Sequence, residues 1–390
     1  MTGSETLAGS RSSTGGDRGA LRAVAREFTR REVTPYLQAW EDAGEVPRDL
    51  HRKAAKQGLL GVAFPEAVGG QGGDLLDSIA VQEAMFEEGA SSGLMAALFT
   101  SGIALPHLAA SGNPDLVDRF VRPTLAGEMI GSLAVTEPGG GSDVAGIRTT
   151  ARRDGDHYVV HGTKTLITSG VRADFVTTAV RTGGHGRTGV SLLVVEKGSP
   201  GFTVDRSLAT MGWHCCDTAE LGYAEVRVPV ANLVGAEGSG FAQIAEQFAV
   251  ERIALAVHAY GIAARSLALT AAYCRERETF GRPLVANQVV RHRLVEMRRQ
   301  VEVARTYVHA VAARQVAGED VVAEACLAKQ TAVDASTYVC DQAVQLHGGA
   351  GYLHGTEVER HYRDARILPI GGGATEVLTD LAARLMGYAP

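Results

Sequence analysis

The chain has 390 residues, 45% of them apolar and 21% charged, and a formal net charge of −6. With a mean hydropathy near zero, this is the composition of a globular protein of two or three structural units, and the acidic balance removes any general attraction to nucleic acid or anionic membranes. No apolar run is read as long enough to cross a bilayer. The opening MTGSETLAGSRSSTGG has no apolar signal region and reads as a flexible tail over residues 1–17. The five cysteines, Cys215, Cys216, Cys274, Cys326 and Cys340, show neither CxxC nor zinc spacing, so reduced thiols and a cytoplasmic location are expected, with no metal.

In chain order, residues 21–40 carry a helical pattern with Pro35 near its close. A second helix over 48–57 stops at Gly58, a natural residue after a helix C-terminus. The glycine-rich run PEAVGGQGGD, 65–74, reads as a turn or a pocket lining. Helices follow over 75–89, 92–110 and 114–125, the last with Asn113 as N-cap. From Gly131 the character changes to short β-branched runs separated by Gly, Asp and Pro, which predict an antiparallel β unit. A hairpin over 149–163 is expected to turn at Asp154–Gly155. Long helices return over 240–274, 286–317, 321–347 and 374–386. The predicted architecture is α+β: an N-terminal helical domain (18–128), a central antiparallel β domain (129–239) and a C-terminal four-helix bundle (240–390).

The helix over 241–262 places Ile244, Phe248, Glu251, Leu255, His258 and Ile262 on one face by their spacing of three and four. A carboxylate facing a core is costly unless it is paired, neutral or used. The bland alternative is a Glu251–Arg252 surface pair on a helix whose phase is slightly different. Elsewhere the chain has no GxGxxG after a strand, no Walker A, no HExxH and no GxSxG. Three polar glycine loops remain: TEPGGGSD (136–143), KTLITSG (164–170) and QLHGGAGY (345–352). Each leaves backbone open to close approach, as a pyrophosphate or a heterocycle requires.

Taken in order, these loops resemble the acyl-CoA dehydrogenase family of flavoproteins over residues 24–387. The most specific stretches are VTEPGGGSD (135–143), KTLITSG (164–170), DTAELGYAEVRVPVANLVG (217–235), RETFG (277–281), QLHGGAGY (345–352) and YRDAR (362–366). The resemblance implies an FAD between the β domain and the C-terminal helices. Thr136, Gly141, Ser142, Ile167 and Thr168 would meet the flavin or pyrophosphate. Arg277, Thr279, Phe280, Gln288, Gln345, Gly348 and Gly349 would meet the FAD of a neighbouring subunit, and Glu376 is a further cofactor contact. A homo-oligomer, a dimer of dimers in most of the family, follows, as does an electron-transfer flavoprotein as redox partner.

The family's commonest catalytic base is a glutamate in a segment of the type Ile-Tyr-Glu-Gly-Thr-Ser-Glu-Ile. Here the corresponding run is IGGGATEV (370–377), with Gly372 at the glutamate position and Ala374 where a flavin-contacting threonine is usual. The long-chain and isovaleryl branches also lack that glutamate and carry a base on the first long C-terminal helix, before an arginine. Glu251–Arg252 matches that placement. The resemblance thus implies dehydrogenation of an acyl thioester, on CoA or on a carrier-protein pantetheine, to the 2-enoyl thioester. Glu251 takes the α-proton, the Gly372 N–H serves the thioester oxygen, and Ser142, Arg252 and Gly373 contact substrate. The rival readings are a flavin oxidase or monooxygenase on the same fold, and a non-catalytic, nucleic-acid-associated relative.

Overall fold

The structure is a computed structural model that describes residues 17–388. The tail expected over 1–17 therefore lies, apart from Asp17, outside the described residues. Asp17 caps the first helix, α1 (Arg18–Phe28), by accepting from the Ala20 N–H at 3.1 Å. The single helix expected over 21–40 is broken. A wider π turn occupies Thr29–Val33, Pro35 follows, and the chain resumes as α2 (Leu37–Ala43). Proline has no N–H to give a preceding turn, so the interruption falls beside it. Next come α3 (Asp49–Lys56) and, after the glycine turn, α4 (Leu75–Glu87). Asp74 and Asp77 of α4 cap one another's backbone N–H groups reciprocally.

The helix expected over 92–110 is three short ones: α5 (Ser92–Leu98), α6 (Ser101–Ala104) and α7 (Pro106–Ala110). The Thr100 hydroxyl takes the Ala96 and Ala97 carbonyls at the first break, and Pro106 opens the third helix, where no N–H is needed. After Asn113, α8 (Pro114–Leu116) and α9 (Arg122–Leu125) flank a second π turn.

The sheet has eight strands: β1 (Gly131–Ala134), β2 (Thr150–Asp154), β3 (His157–Thr168), β4 (Phe175–Arg181), β5 (Val190–Glu196), β6 (Phe202–Ser207), β7 (Thr218–Pro229) and β8 (Leu233–Val234). Their order is β6-β7-β3-β2-β4-β5-β8, with β1 beside β4. The unit is mixed, not antiparallel as expected: β1 and β2 each run parallel to β4. Alternation within strands cannot reveal direction, because both pairings share the two-residue period. The β2–β3 hairpin pairs Asp154 with His157, so it turns at Gly155–Asp156, one residue later than expected.

The C-terminal region comprises α10 (Gly240–Glu276), a small hairpin of β9 (Glu278–Thr279) and β10 (Arg282–Pro283), α11 (Gln288–Val316), α12 (Val322–His347), α13 (Glu357–Ala365) and α14 (Thr375–Leu385). The α13 helix was not foreseen. By length and composition α10 does meet the description of a membrane-crossing helix, contrary to expectation, but 67% of its most apolar window is buried inside the fold. It is a core helix, and burial runs round its middle instead of along the single face its spacing suggested. Gly261 lets α10 approach α4: a Cβ there would stand 2.4 Å from Phe86 Cδ2.

Candidate active site

The first turns of α10 pack Phe241, Ile244 and Phe248 with Leu105, Leu108, Phe175 and Leu192, on the sheet side of the molecule. From Ala249 onward the helix joins another core, where Ile253, Ala256 and Val257 meet Phe86, Leu94, Ala328 and Ala332. Glu251 stands at the passage between the two, where the helical regions and the sheet come together.

Opposite Glu251 lies the loop between α13 and α14. Gly372 (φ +63°) and Gly373 (φ +99°) are both left-handed, a conformation glycine adopts without penalty. A Cβ placed on Gly372 would lie 2.2 Å from Leu255 Cδ1 and 3.4 Å from Glu251 Oε1. The carboxylate thus comes from α10 to the place where a side chain at position 372 would begin. Among the described residues no protein group donates to the Glu251 oxygens, and no acceptor takes the Gly372 N–H. Part of the Glu251 surface stays open, yet its neighbours crowd it enough that burial raises its carboxyl above the usual range, only partly countered by Lys329 and Arg252.

Arg252 does not form the surface pair with Glu251. It is only 5% exposed, its guanidinium lies over the Phe248 ring, and its Nε has no partner. It is a buried cation with unused donors, not a residue at an open mouth.

The 136–143 loop begins where β1 ends. Lys164, fully buried on β3, donates to Glu137 Oε1 at 2.9 Å and to the Val135 carbonyl at 2.9 Å. Glu137 also accepts from the N–H groups of Arg148 (2.7 Å) and Thr149 (2.8 Å). This anchor was not read from the sequence, although a lysine inside an apolar strand is a signal for it. The loop beyond is open: Gly139 and Gly140 have no atom within 4 Å of a would-be Cβ, and Gly141 meets only Thr136. Ser142 is exposed.

On β3, Thr168 is half-buried, with its carbonyl accepting from Ser132 Oγ. Ile167 is 2% exposed, its side chain belongs to the sheet core and its carbonyl accepts from the Gly170 N–H at 3.1 Å, so its side chain is not presented to a ligand. A register shift between Lys164 and Ile167 turns Leu166 outward instead, 60% exposed at φ +59°. The turn after β3 is pinned by Asp217, which accepts from Val171 N at 2.7 Å and from Arg172 Nε at 2.6 Å.

At the far end of the bundle, Tyr273 stacks on His347 at 4.3 Å. This brings the end of α10, with Arg277, beside the end of α12, with Gln345, Gly348 and Gly349. Arg277, Gln288, Gln345, Gly348 and Gly349 are exposed, and Phe280 is wholly so, whereas Glu376, also exposed, lies apart from them in the first turn of α14, next to the 371–373 loop. Thr279 Oγ1 is buried without a partner. Open glycine backbone, a cation and an orphaned hydroxyl suit an extended anionic cofactor, so these residues fit the group expected of them. Among the described residues, however, no hydrogen bond joins the 136–143 loop to the Arg277 end. The five cysteines are free and buried, and burial pushes the Cys216 thiol up to about 12, which leaves it unreactive.

The fold and this constellation define a three-part flavoenzyme of the acyl-CoA dehydrogenase type. Models of the acyl-CoA dehydrogenase N-terminal, middle and C-terminal domains match residues 16–128, 132–226 and 238–387. The long-chain specific acyl-CoA dehydrogenase of Rattus norvegicus mitochondria is 37% identical over 369 residues, 93% of this chain and 85% of that one. A probable acyl-CoA dehydrogenase of Mycobacterium abscessus superposes with a TM-score of 0.94 at 61% identity, covering 96% and 100% of the two chains. A putative acyl-CoA dehydrogenase of Mycobacterium smegmatis gives 0.95 at 58% identity, covering 96% and 99%. The chain belongs to the acyl-CoA dehydrogenase family, whose members are flavoproteins, and is an oxidoreductase.

Proposed function

We propose that this protein oxidises an acyl thioester to its 2-enoyl thioester, with Glu251 as the base. The observation that carries the assignment is the 3.4 Å between Glu251 Oε1 and the Cβ position of residue 372. The carboxylate takes the proton from the α-carbon, and the electron pair of that C–H bond becomes the Cα–Cβ double bond. The Gly372 N–H donates to the thioester oxygen as negative charge gathers there. Arg252, with its unused donors, orients the thioester beside Glu251, and Ser142 and Gly373 line the same path.

FAD is the cofactor this reading requires, and when bound it supplies the acceptor for the hydride that leaves the β-carbon. Thr136, Gly141, Ser142, Ile167 and Thr168 hold one end. Arg277, Thr279, Phe280, Gln288, Gln345, Gly348 and Gly349 hold that of a neighbouring subunit, and Glu376 is a further cofactor contact. The apolar surface of Phe280 (102% exposed), Tyr352 (84%) and Leu353 (62%) supports burial of that end in a homo-oligomer. An electron-transfer flavoprotein takes the electrons onward.

The test is anaerobic mixing of purified holoenzyme with a series of acyl-CoA thioesters while flavin absorbance is followed. Glu251→Gln should slow bleaching by about 10²–10⁴-fold, the usual contribution of a positioned base. Bleaching at the parent rate would end the assignment.

A further inference from the structure

Lys329 is a lysine inside an apolar helix, only 1% exposed, and no surface role accounts for it. It sits on α12, facing the loop that carries Gly372. Its Nζ donates to the Gly371 carbonyl at 2.5 Å and to the Gly373 carbonyl at 2.7 Å. Backbone bonds hold only the two ends of that loop: Gly371 N–H to the Ile367 carbonyl at 2.8 Å, and Thr375 N–H to the Pro369 carbonyl at 3.0 Å. Between them run two glycines and an alanine, with no side chain able to anchor the middle.

Peptide planarity gives this grip a consequence. The Gly371 carbonyl and the Gly372 N–H belong to one peptide unit, and no cis bond occurs in the described chain. In a trans unit the C=O and N–H bonds point in opposite directions. A cation fixed on the Gly371 oxygen therefore aims the Gly372 N–H away from α12. A charge on the carbonyl also withdraws electron density from the same amide, which makes its N–H a stronger donor.

We propose that Lys329 is the positioning residue of the oxyanion donor: by clamping the Gly371 and Gly373 carbonyls it aims and strengthens the Gly372 N–H that meets the thioester oxygen. This rests on the active-site reading above. Burial pulls Lys329 down to about 8, with the Glu251 charge acting the other way, so the clamp is charged at neutral pH.

Two readouts on the FAD-loaded enzyme test it. The first is the infrared carbonyl stretch of bound 2-octenoyl-CoA labelled with ¹³C at the thioester carbonyl, which reports hydrogen bonding to that oxygen without turnover. The second is the limiting bleaching rate with octanoyl-CoA. In the parent enzyme the bound stretch lies below its value in buffer. Lys329→Met should lose most of that lowering and slow bleaching by about 10²–10³-fold, as for removal of one oxyanion donor, with flavin content unchanged. A stretch and rate equal to the parent's would overturn the proposal. If Lys329→Met does not fold, Lys329→Arg keeps the charge but not the length, and should displace the stretch; an undisplaced stretch overturns the proposal equally. Glu251→Gln separates the two readings. It should keep the lowered stretch while losing bleaching, whereas normal bleaching in that variant removes the base assignment and leaves the carbonyl clamp to its own test.

Discussion

Glu251 and Gly372 share one space from two directions: Oε1 of the first lies 3.4 Å from the point where a side chain on the second would start. A glycine with no Cβ is the condition for Leu255, 2.2 Å from that point, to pack there, while Glu251 stands at van der Waals distance from it.

Gly372→Ala should therefore cost both stability and activity. The left-handed backbone at φ +63° and the 2.2 Å approach to Leu255 Cδ1 together predict a loss of about 1–3 kcal/mol. Adding Leu255→Ala should relieve the clash but not the backbone strain. A double-mutant cycle on denaturant unfolding checks this, and strict additivity would contradict it.

Glu251 should show its burial in two pH profiles of opposite sense. Its carboxyl is raised above the ordinary 4.5, and only the ionised form accepts a proton. The limiting bleaching rate should therefore rise with pH through a midpoint above that value. Between the unfolded and the raised folded pKa the native state binds more protons than the unfolded chain, so stability falls as pH rises. Glu251→Gln escapes this cost, and its melting temperature should exceed the parent's at pH 8 by more than at pH 5.

The buried Glu137–Lys164 pair should behave as an anchor for the 136–143 loop. Lys164→Met leaves Glu137 enclosed without its cation, a change that costs about 3–5 kcal/mol. Replacing both residues should recover only part of this, because the Arg148 and Thr149 N–H groups lose their acceptor as well. Burial works against ionisation of Glu137, but Lys164 and the Thr149 donors outweigh it and lower its carboxyl. The contribution is therefore complete above the unfolded pKa and is lost as pH falls through the folded one. Urea midpoints for the two variants, with flavin retained per chain, measure both effects; full flavin retention in Lys164→Met would contradict the anchor.

Much of the helical periodicity in 18–125 and 240–385 was legible in the sequence, because apolar spacing records burial directly. Breaks within it were not. Pro35 and Pro106 mark interruptions, but whether the chain kinks, widens to a π turn or restarts depends on what packs beside it. The mixed direction of the sheet was invisible for a related reason, since β1 and β4 meet only through long-range pairing. Ile167 was expected at the ligand surface, but the bulge that exposes Leu166 and buries Ile167 arises from the β3–β7 register, which involves two segments far apart in the chain.

The amino-acid sequence alone determined the family, the loss of a side chain at position 372 and the presence of an acid on the long helix. These are matters of residue identity and order. Only the tertiary structure decided that the acid reaches the vacated position, that Arg252 is enclosed and that Lys329 grips the loop between them. Those relationships join α10, α12 and the 371–373 turn, and the distances between such elements are set by how their cores pack.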